Sequence, residues 1–269
     1  MASFGRYFRL FTALGRFSLA TEMAYRANFF VRIVVELLWL GILLAFYRLI
    51  FDKTQAIAGW TQEEYLFFIG CHYALGGFID TFFLENCTDL SELVRSGDLD
   101  LYLLKPIDEQ FLITCRKVDW ATMPNIGLGI GLMGLSLWRL DWAFDPVRLL
   151  LFLLLSVSAL AMAYSFLLML CATSLWFVRN QSLMELWWLF TTLMRHPRGI
   201  FQGKYAEPFG WFFTFVIPVL LVISVPAGTM VKTLEPGFVA LTIGAAAALV
   251  VGSRWFFRFA LRSYRSASS

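Results

Sequence analysis

Charge is what this sequence has least of. Asp, Glu, Lys and Arg make up only 15% of its 269 residues, while 59% are hydrophobic and 17% are aromatic. Soluble domains carry nearer a quarter charged residues. A water-soluble fold of this length could not cover so many Phe, Leu and Trp side chains and would expose adhesive patches. A mean hydropathy of +0.69 agrees. The four cysteines (Cys71, Cys87, Cys115 and Cys171) are scattered, with no Cys-x-x-Cys pair and no histidine at ligand spacing. That argues against a disulfide framework or a zinc site and leaves small apolar side chains in or near a membrane. The phosphate-binding Gly-x-x-x-x-Gly-Lys-Ser/Thr loop is missing, for the only Gly-Lys pair, Gly203-Lys204, is followed by Tyr205. Neither a Gly-x-Ser-x-Gly elbow nor a His-Glu-x-x-His helix occurs. The chain is therefore expected to be no enzyme and to hold no cofactor or metal. Its energy must come from another subunit or from an ion gradient. A net charge of +3 says little by itself, and no nucleic-acid partner is expected.

What is present is a succession of apolar runs, spread evenly enough to make residues 1–269 a single membrane domain. Residues 3–22 read as an amphipathic helix. Phe4, Tyr7, Phe8, Phe11 and Leu14 share one face, and Arg6, Arg9 and Arg16 the other. The pattern suits a helix lying in the lipid headgroup layer. Arg9 and Arg16 interrupt the apolar stretch, so it does not read as a signal peptide, and the first span is expected to serve as the targeting signal. Spans follow at about 28–51, 65–84, 111–138 and 147–178. Gly127, Gly129, Gly131 and Gly134 in the third would let a neighbouring helix approach closely. Pro146 suits the first turn of the fourth.

Three apolar stretches remain, at 181–201, 209–230 and 238–261. Arg6, Arg9, Arg16 and Arg26 flank the start, and Arg254, Arg258, Arg262 and Arg265 the end. The positive-inside rule then puts both termini in the cytoplasm and makes the number of crossings even. One stretch must enter and leave on the same side. The favoured one is 209–230, because Pro218 and Pro226 would break it into two half-helices of a re-entrant hairpin. The competing choice lays 181–201 in the interface, since Arg195-His196-Pro197-Arg198 interrupts it. The expected fold is all-α, with six transmembrane helices, an N-terminal interfacial helix and a re-entrant hairpin before the last span.

The most specific local signal is the loop 86–108 between the second and third spans. Asp89 is placed to cap a helix, with Glu92 as its capping-box partner. Gly97 is placed to end that helix in the left-handed conformation. Leu90, Leu93 and Val94 give it an apolar stripe, Asp98 restarts the chain, and Lys105-Pro106 stops the next short segment. A rigid charged unit of this kind could transmit a push from a docked domain, or it could be an ordinary solvated loop.

The run Arg95-Ser-Gly97-Asp98-Leu-Asp100, followed by Lys105-Pro106, resembles the arginine-x-glycine-x-leucine-aspartate and lysine/arginine-proline signature of a bacterial ABC permease family in the type-2 exporter group. Met23-Ala-Tyr25-Arg26-Ala-Asn28-Phe29 resembles the same family's opening motif, and the segment around Pro218 and Pro226 fits it. The resemblance implies a permease domain in the bacterial inner membrane, paired with a second permease chain, identical or not. It also implies two separate ATPase subunits, which would hold ATP and magnesium, docked on the cytoplasmic side. The ATPase-coupling residues would be Asp89, Glu92, Leu93, Arg95, Gly97, Asp98, Asp100, Lys105 and Pro106. The group exports polysaccharides and drugs, and an amphipathic cargo is expected here.

Arg32, Glu36, His72, Asp80 and Glu185 are the candidate polar sites inside the membrane, where ionisable groups are costly and often functional. Arg32 and Glu36 stand four apart and can pair on one helix face, with a functional role for Glu36 as the alternative. Asp80 and Glu185 are expected near interfacial water, and the carboxylates form no evident proton relay. Trp39, Trp187, Trp188, Trp211 and Trp255 read as interfacial anchors or packing. Two readings of other classes stand beside the permease: an ion-driven secondary transporter, which would need Asp80 or Glu36, and a membrane scaffold without transport.

Overall fold

The computed structural model describes residues 2–176, 181–201, 203, 205–233 and 235–264. Lys204, Arg265, the end of the fourth expected span at Val178 and the side chain of Phe4 lie outside the described set. All regular elements among the described residues are helices: α1 (Ala2–Ala24), α2 (Arg26–Phe51), α3 (Gln62–Ile79), α4 (Glu85–Thr88), α5 (Leu90–Ser96), α6 (Leu99–Leu103), α7 (Glu109–Thr114), α8 (Pro124–Arg139), α9 (Pro146–Ala172), α10 (Gln181–Met194), α11 (Glu207–Phe215), α12 (Val219–Val231) and α13 (Pro236–Ser263). Four helical runs are long and apolar enough to cross a bilayer: 26–51, 62–96, 146–175 and 236–263. A fifth is added if the pair α11 and α12, bent by 85°, counts as one.

Helices surrounded by lipid gain little from hiding apolar surface, so close packing must hold them together. The tightest pair is α3 with α8. A Cβ on Gly70 would lie 2.8 Å from the carbonyl oxygen of Gly129, and one on Gly77 would lie 2.9 Å from Cβ of Asn125. Gly129 is pressed equally hard against the backbone of Ala74. Of the four glycines expected to make room, only Gly129 does so; Gly127, Gly131 and Gly134 face open space. The matching small residues, Gly70 and Gly77, are on the other helix. Helix α12 lies at the centre of the bundle against α9 and α3, with Val219, Leu220, Leu221, Val222 and Ile223 all buried. By contrast α2 buries only Leu40 and presents Val31, Val34 and Leu38 outward.

Two expectations need correction. The third span is not one helix from Phe111: α7 ends at Thr114, and α8 starts at Pro124. Between them Asp119, 7% exposed, binds Arg32 at 2.5 Å, and its amide donates to the Thr81 carbonyl at 2.8 Å. Side-chain partners for a buried carboxylate thus replace helical bonding, and the proline at N1 restarts the helix. Second, only Pro218 breaks the 209–230 stretch. Pro226 lies inside α12, buried on all sides, and the helix runs on through it. A proline removes one backbone bond, and the packed neighbours of a bundle hold the helix across the gap.

The bundle has two polar ends. At one, Lys232 bonds the Gly59 carbonyl and lies 3.7 Å from Glu64, Arg139 reaches Glu63 at 3.3 Å, and Arg198 reaches Glu235 at 3.3 Å. Asp145 caps α9 through the amides of Val147 and Arg148, with Pro146 at N1. The other, the loop end, carries residues 85–119 together with α1 and the last turns of α13. The first and last helices therefore meet at the same end.

Candidate functional site

The loop end is built as one ion-paired body. Helix α5 is fastened by Leu90 and Leu93, both buried, and α6 by Leu99. Gly97 closes α5 at φ 80°, a conformation that favours glycine. Asp98 accepts from the Ser96 hydroxyl at 2.8 Å. Asp89 makes no capping box. Its backbone stays helical, and its carboxylate binds Arg116 at 2.8 Å and Lys117 at 2.7 Å. Lys117 also reaches Glu85 at 3.1 Å, and its amide donates to Asn86 Oδ1 at 2.9 Å. Asp89 loses the cap because two cations from the following segment compete for it. Burial disfavours the Lys117 ammonium, but Asp89 and Glu85 outweigh that and raise its pKa. The far side of α5 is different. Glu92 and Arg95 are bound to each other at 2.7 Å in open solvent. The hydrogen bond from Arg95 holds the Glu92 carboxyl below its usual range. Leu101 and Leu104 are exposed beside them, and Lys105 lies over the Tyr102 ring at 4.5 Å.

Helix α1 is stitched to this body along its length. Arg6 donates to the Pro106 carbonyl, the Asp108 amide to Tyr7 Oη, the Val118 amide to Ser18 Oγ, and the Trp120 amide to Glu22. From the other side Arg254 of α13 donates to Asp108 at 2.6 Å and to Gln110 at 3.1 Å. Burial pushes the Asp108 carboxyl up, yet Arg254 and the Phe111 amide prevail and leave it below its ordinary value. Burial, and then the charge of Asp100, pushes the Tyr264 hydroxyl up.

A second feature lies within the bundle. Helices α2, α3, α8 and α10 line a half-open cavity of about 530 Å³ whose walls include Glu36, His72, Asp80, Asn125 and Arg195. The expected Arg32–Glu36 pair does not form. Arg32 binds Asp119, and Glu36 accepts from Asn125 Nδ2 at 3.0 Å. Asp80 does not project to an exposed helix end but lines the cavity, at the start of a π-helical turn, Asp80–Leu84. Such turns recur at functional sites. Glu185 is exposed and outside the cavity. Trp187 is buried, stacked on Phe190 at 5.5 Å, while Trp39 and Trp188 are exposed at the cavity rim. Arg116, Lys117, Asp119, Asn125 and Arg195 were not among the residues picked from sequence. The adjacent bases at 116–117 and the Arg195–Arg198 run were the only signals for them.

The profile of the ABC-2 family transporter proteins matches residues 37–268, nearly the whole chain. The chain belongs to the ABC-2 transporter family. This agrees with an all-α, multi-pass membrane protein, and ABC-2 permeases normally work with ABC ATPase partners. No curated protein and no solved structure matches the chain.

Proposed function

We propose that this ABC-2 protein is the permease subunit of an ATP-driven exporter, and that its loop end is where partner ATPases push. The chain would span the inner membrane six times, through α2, α3, α8, α9, α10 and α13. Helix α1 would lie in the headgroup layer, and α11–α12 would form a re-entrant hairpin opening away from the cytoplasm. Support for the hairpin comes from the 85° bend at 216–218 and from the Lys232 and Arg198 contacts, which hold its α12 side at the end opposite the loop. Both termini would be cytoplasmic. Two ATPase subunits would supply ATP and magnesium, and a second permease chain would complete the pathway. The permease itself would catalyse nothing.

The observation that carries this reading is the contrast across α5. One side is locked into the bundle through Leu90, Leu93 and the Asp89–Arg116–Lys117 cluster. The other offers a solvated Glu92–Arg95 pair. A body fastened to the bundle on one side and carrying exposed charge on the other can transmit a displacement. The test is to purify the chain from its native membrane and identify what comes with it by mass spectrometry. A P-loop subunit that is lost when residues 89–100 are replaced by a neutral linker supports the docking site. Normal ATP-driven transport by Glu92→Ala and Arg95→Ala variants would refute it. A second reading, ion-driven transport, gains weight because Glu36, His72 and Asp80 converge on one cavity. It requires solute movement in vesicles without ATP, abolished by Asp80→Asn.

A further inference from the structure

The cavity between α2, α3, α8 and α10 is polar in a particular way. Among the described residues eight buried side-chain polar atoms lack a hydrogen-bond partner, and three of them, His72 Nδ1, Asn125 Oδ1 and Trp187 Nε1, belong to residues that line it. These three atoms are covered by their own neighbours, so what a ligand would meet is set by the charged and apolar side chains of the lining. Glu36 and Asp80 contribute two carboxylates and Arg195 one guanidinium. The neighbouring Arg32 and Asp119 pair with each other. Acidic side chains outnumber basic ones in this lining, and a carboxylate removed from water is ionised only beside a counterpart.

A bare metal ion is a poor counterpart, because no group of three or more His, Cys, Asp or Glu among the described residues is arranged to hold one. The rest of the lining is apolar and aromatic, with Trp39, Ile42 and Phe46 on α2 and Trp188 on α10. Aromatic faces attract organic cations. A volume of about 530 Å³ is of the size that takes a drug-sized molecule. The geometry points to an amphiphilic monocation as the ligand of this cavity, its charge held by Glu36 and Asp80 and its apolar body by the α2 and α10 aromatics. As a cargo class this rests on the exporter reading, but binding itself needs no ATPase.

The test uses the full chain in lipid nanodiscs and two probes of the same shape and opposite charge, tetraphenylphosphonium and tetraphenylborate, with uptake by empty nanodiscs subtracted. Saturable binding of the cation alone is expected. Asp80→Asn and Glu36→Gln should each weaken it by about tenfold or more, and Arg195→Gln should tighten it. Gel filtration shows which variants remain folded, and two acidic positions keep the test open if one fails. Equal binding of both probes, no saturable binding of either, or tighter binding after loss of a carboxylate would each overturn the inference. If the cation binds but no ATPase co-purifies, the exporter reading falls and the cavity assignment stands. If the ATPase co-purifies and the cation does not bind, only the cavity assignment falls.

Discussion

Asp89→Asn should loosen the loop end without touching its outer surface. The carboxylate bridges Arg116, whose side chain is 9% exposed, and Lys117, which is 43% exposed. Removing one partner of a fully buried pair costs about 3–5 kcal/mol because a charge is left stranded, and surface pairs are worth about 0–1 kcal/mol. Asp89 is one-third exposed, and Lys117 keeps Glu85 as a partner. The cost should therefore fall between the two limits, at about 2 kcal/mol, carried mainly by Arg116. For a chain of this size that corresponds to a drop in Tm of about 4–8 °C. Thermal unfolding of the detergent-solubilised chain measures it, and a cycle with Arg116→Gln isolates the pair. Glu92→Gln should leave Tm unchanged, since that pair is in solvent, and should reduce ATPase coupling instead. The reasoning fails if Asp89→Asn unfolds at the wild-type temperature, or if Glu92→Gln destabilises as much.

Other perturbations follow from particular contacts. Gly129→Ala should destabilise by about 1–3 kcal/mol, because the new methyl meets backbone rather than a side chain able to move. Gly131→Ala and Gly134→Ala, which meet nothing, should be neutral or stabilising in the same unfolding assay. Asp108 has a depressed pKa, so its contribution is present above the ordinary carboxylate range and is lost as pH falls through the lower folded value. Hydrogen exchange at 106–112 should accelerate only in that acidic window, and Arg254→Gln should remove the effect. Lys232→Ala should free residues 52–61, since Lys232 holds Gly59, lies over the Trp60 ring at 4.4 Å and approaches Glu64. Limited proteolysis within 52–61 should then be faster than in wild type.

Much of the helical order was readable because apolar run length reports on it directly. The ends of α2 and α13 and the start of α9 lie close to the expected spans, and Pro146 opens α9 where its missing N–H costs nothing. Run length could not show the break at 115–123. Its cause is the pairing of Asp119 with Arg32, 87 positions away, and local spacing instead suggested Glu36 for Arg32. The α3–α8 contact failed for a related reason. A row of four glycines on one helix does not say which of them meets a partner; Gly70 and Gly77 decide that. In the loop, Gly97 was legible because its conformation is a property of the residue. The Asp89 cap was not, since capping and ion pairing compete for one carboxylate and Arg116 and Lys117 win. The cavity is the extreme case. Its charged lining comes from three helices that the sequence separates by up to 159 positions, from Glu36 to Arg195.

Because α1 is joined to residues 106–120 at Pro106, Asp108, Val118 and Trp120, the loop has no freedom to travel alone. Any stroke delivered to α5 must drag a 23-residue helix through whatever it rests on. If α1 lies in the headgroup layer and the chain works as proposed, the bilayer would be a mechanical load on the transport cycle. Turnover would then vary with the viscosity and lateral pressure of the surrounding lipid, even when the cargo, the nucleotide and every residue of the pathway are unchanged.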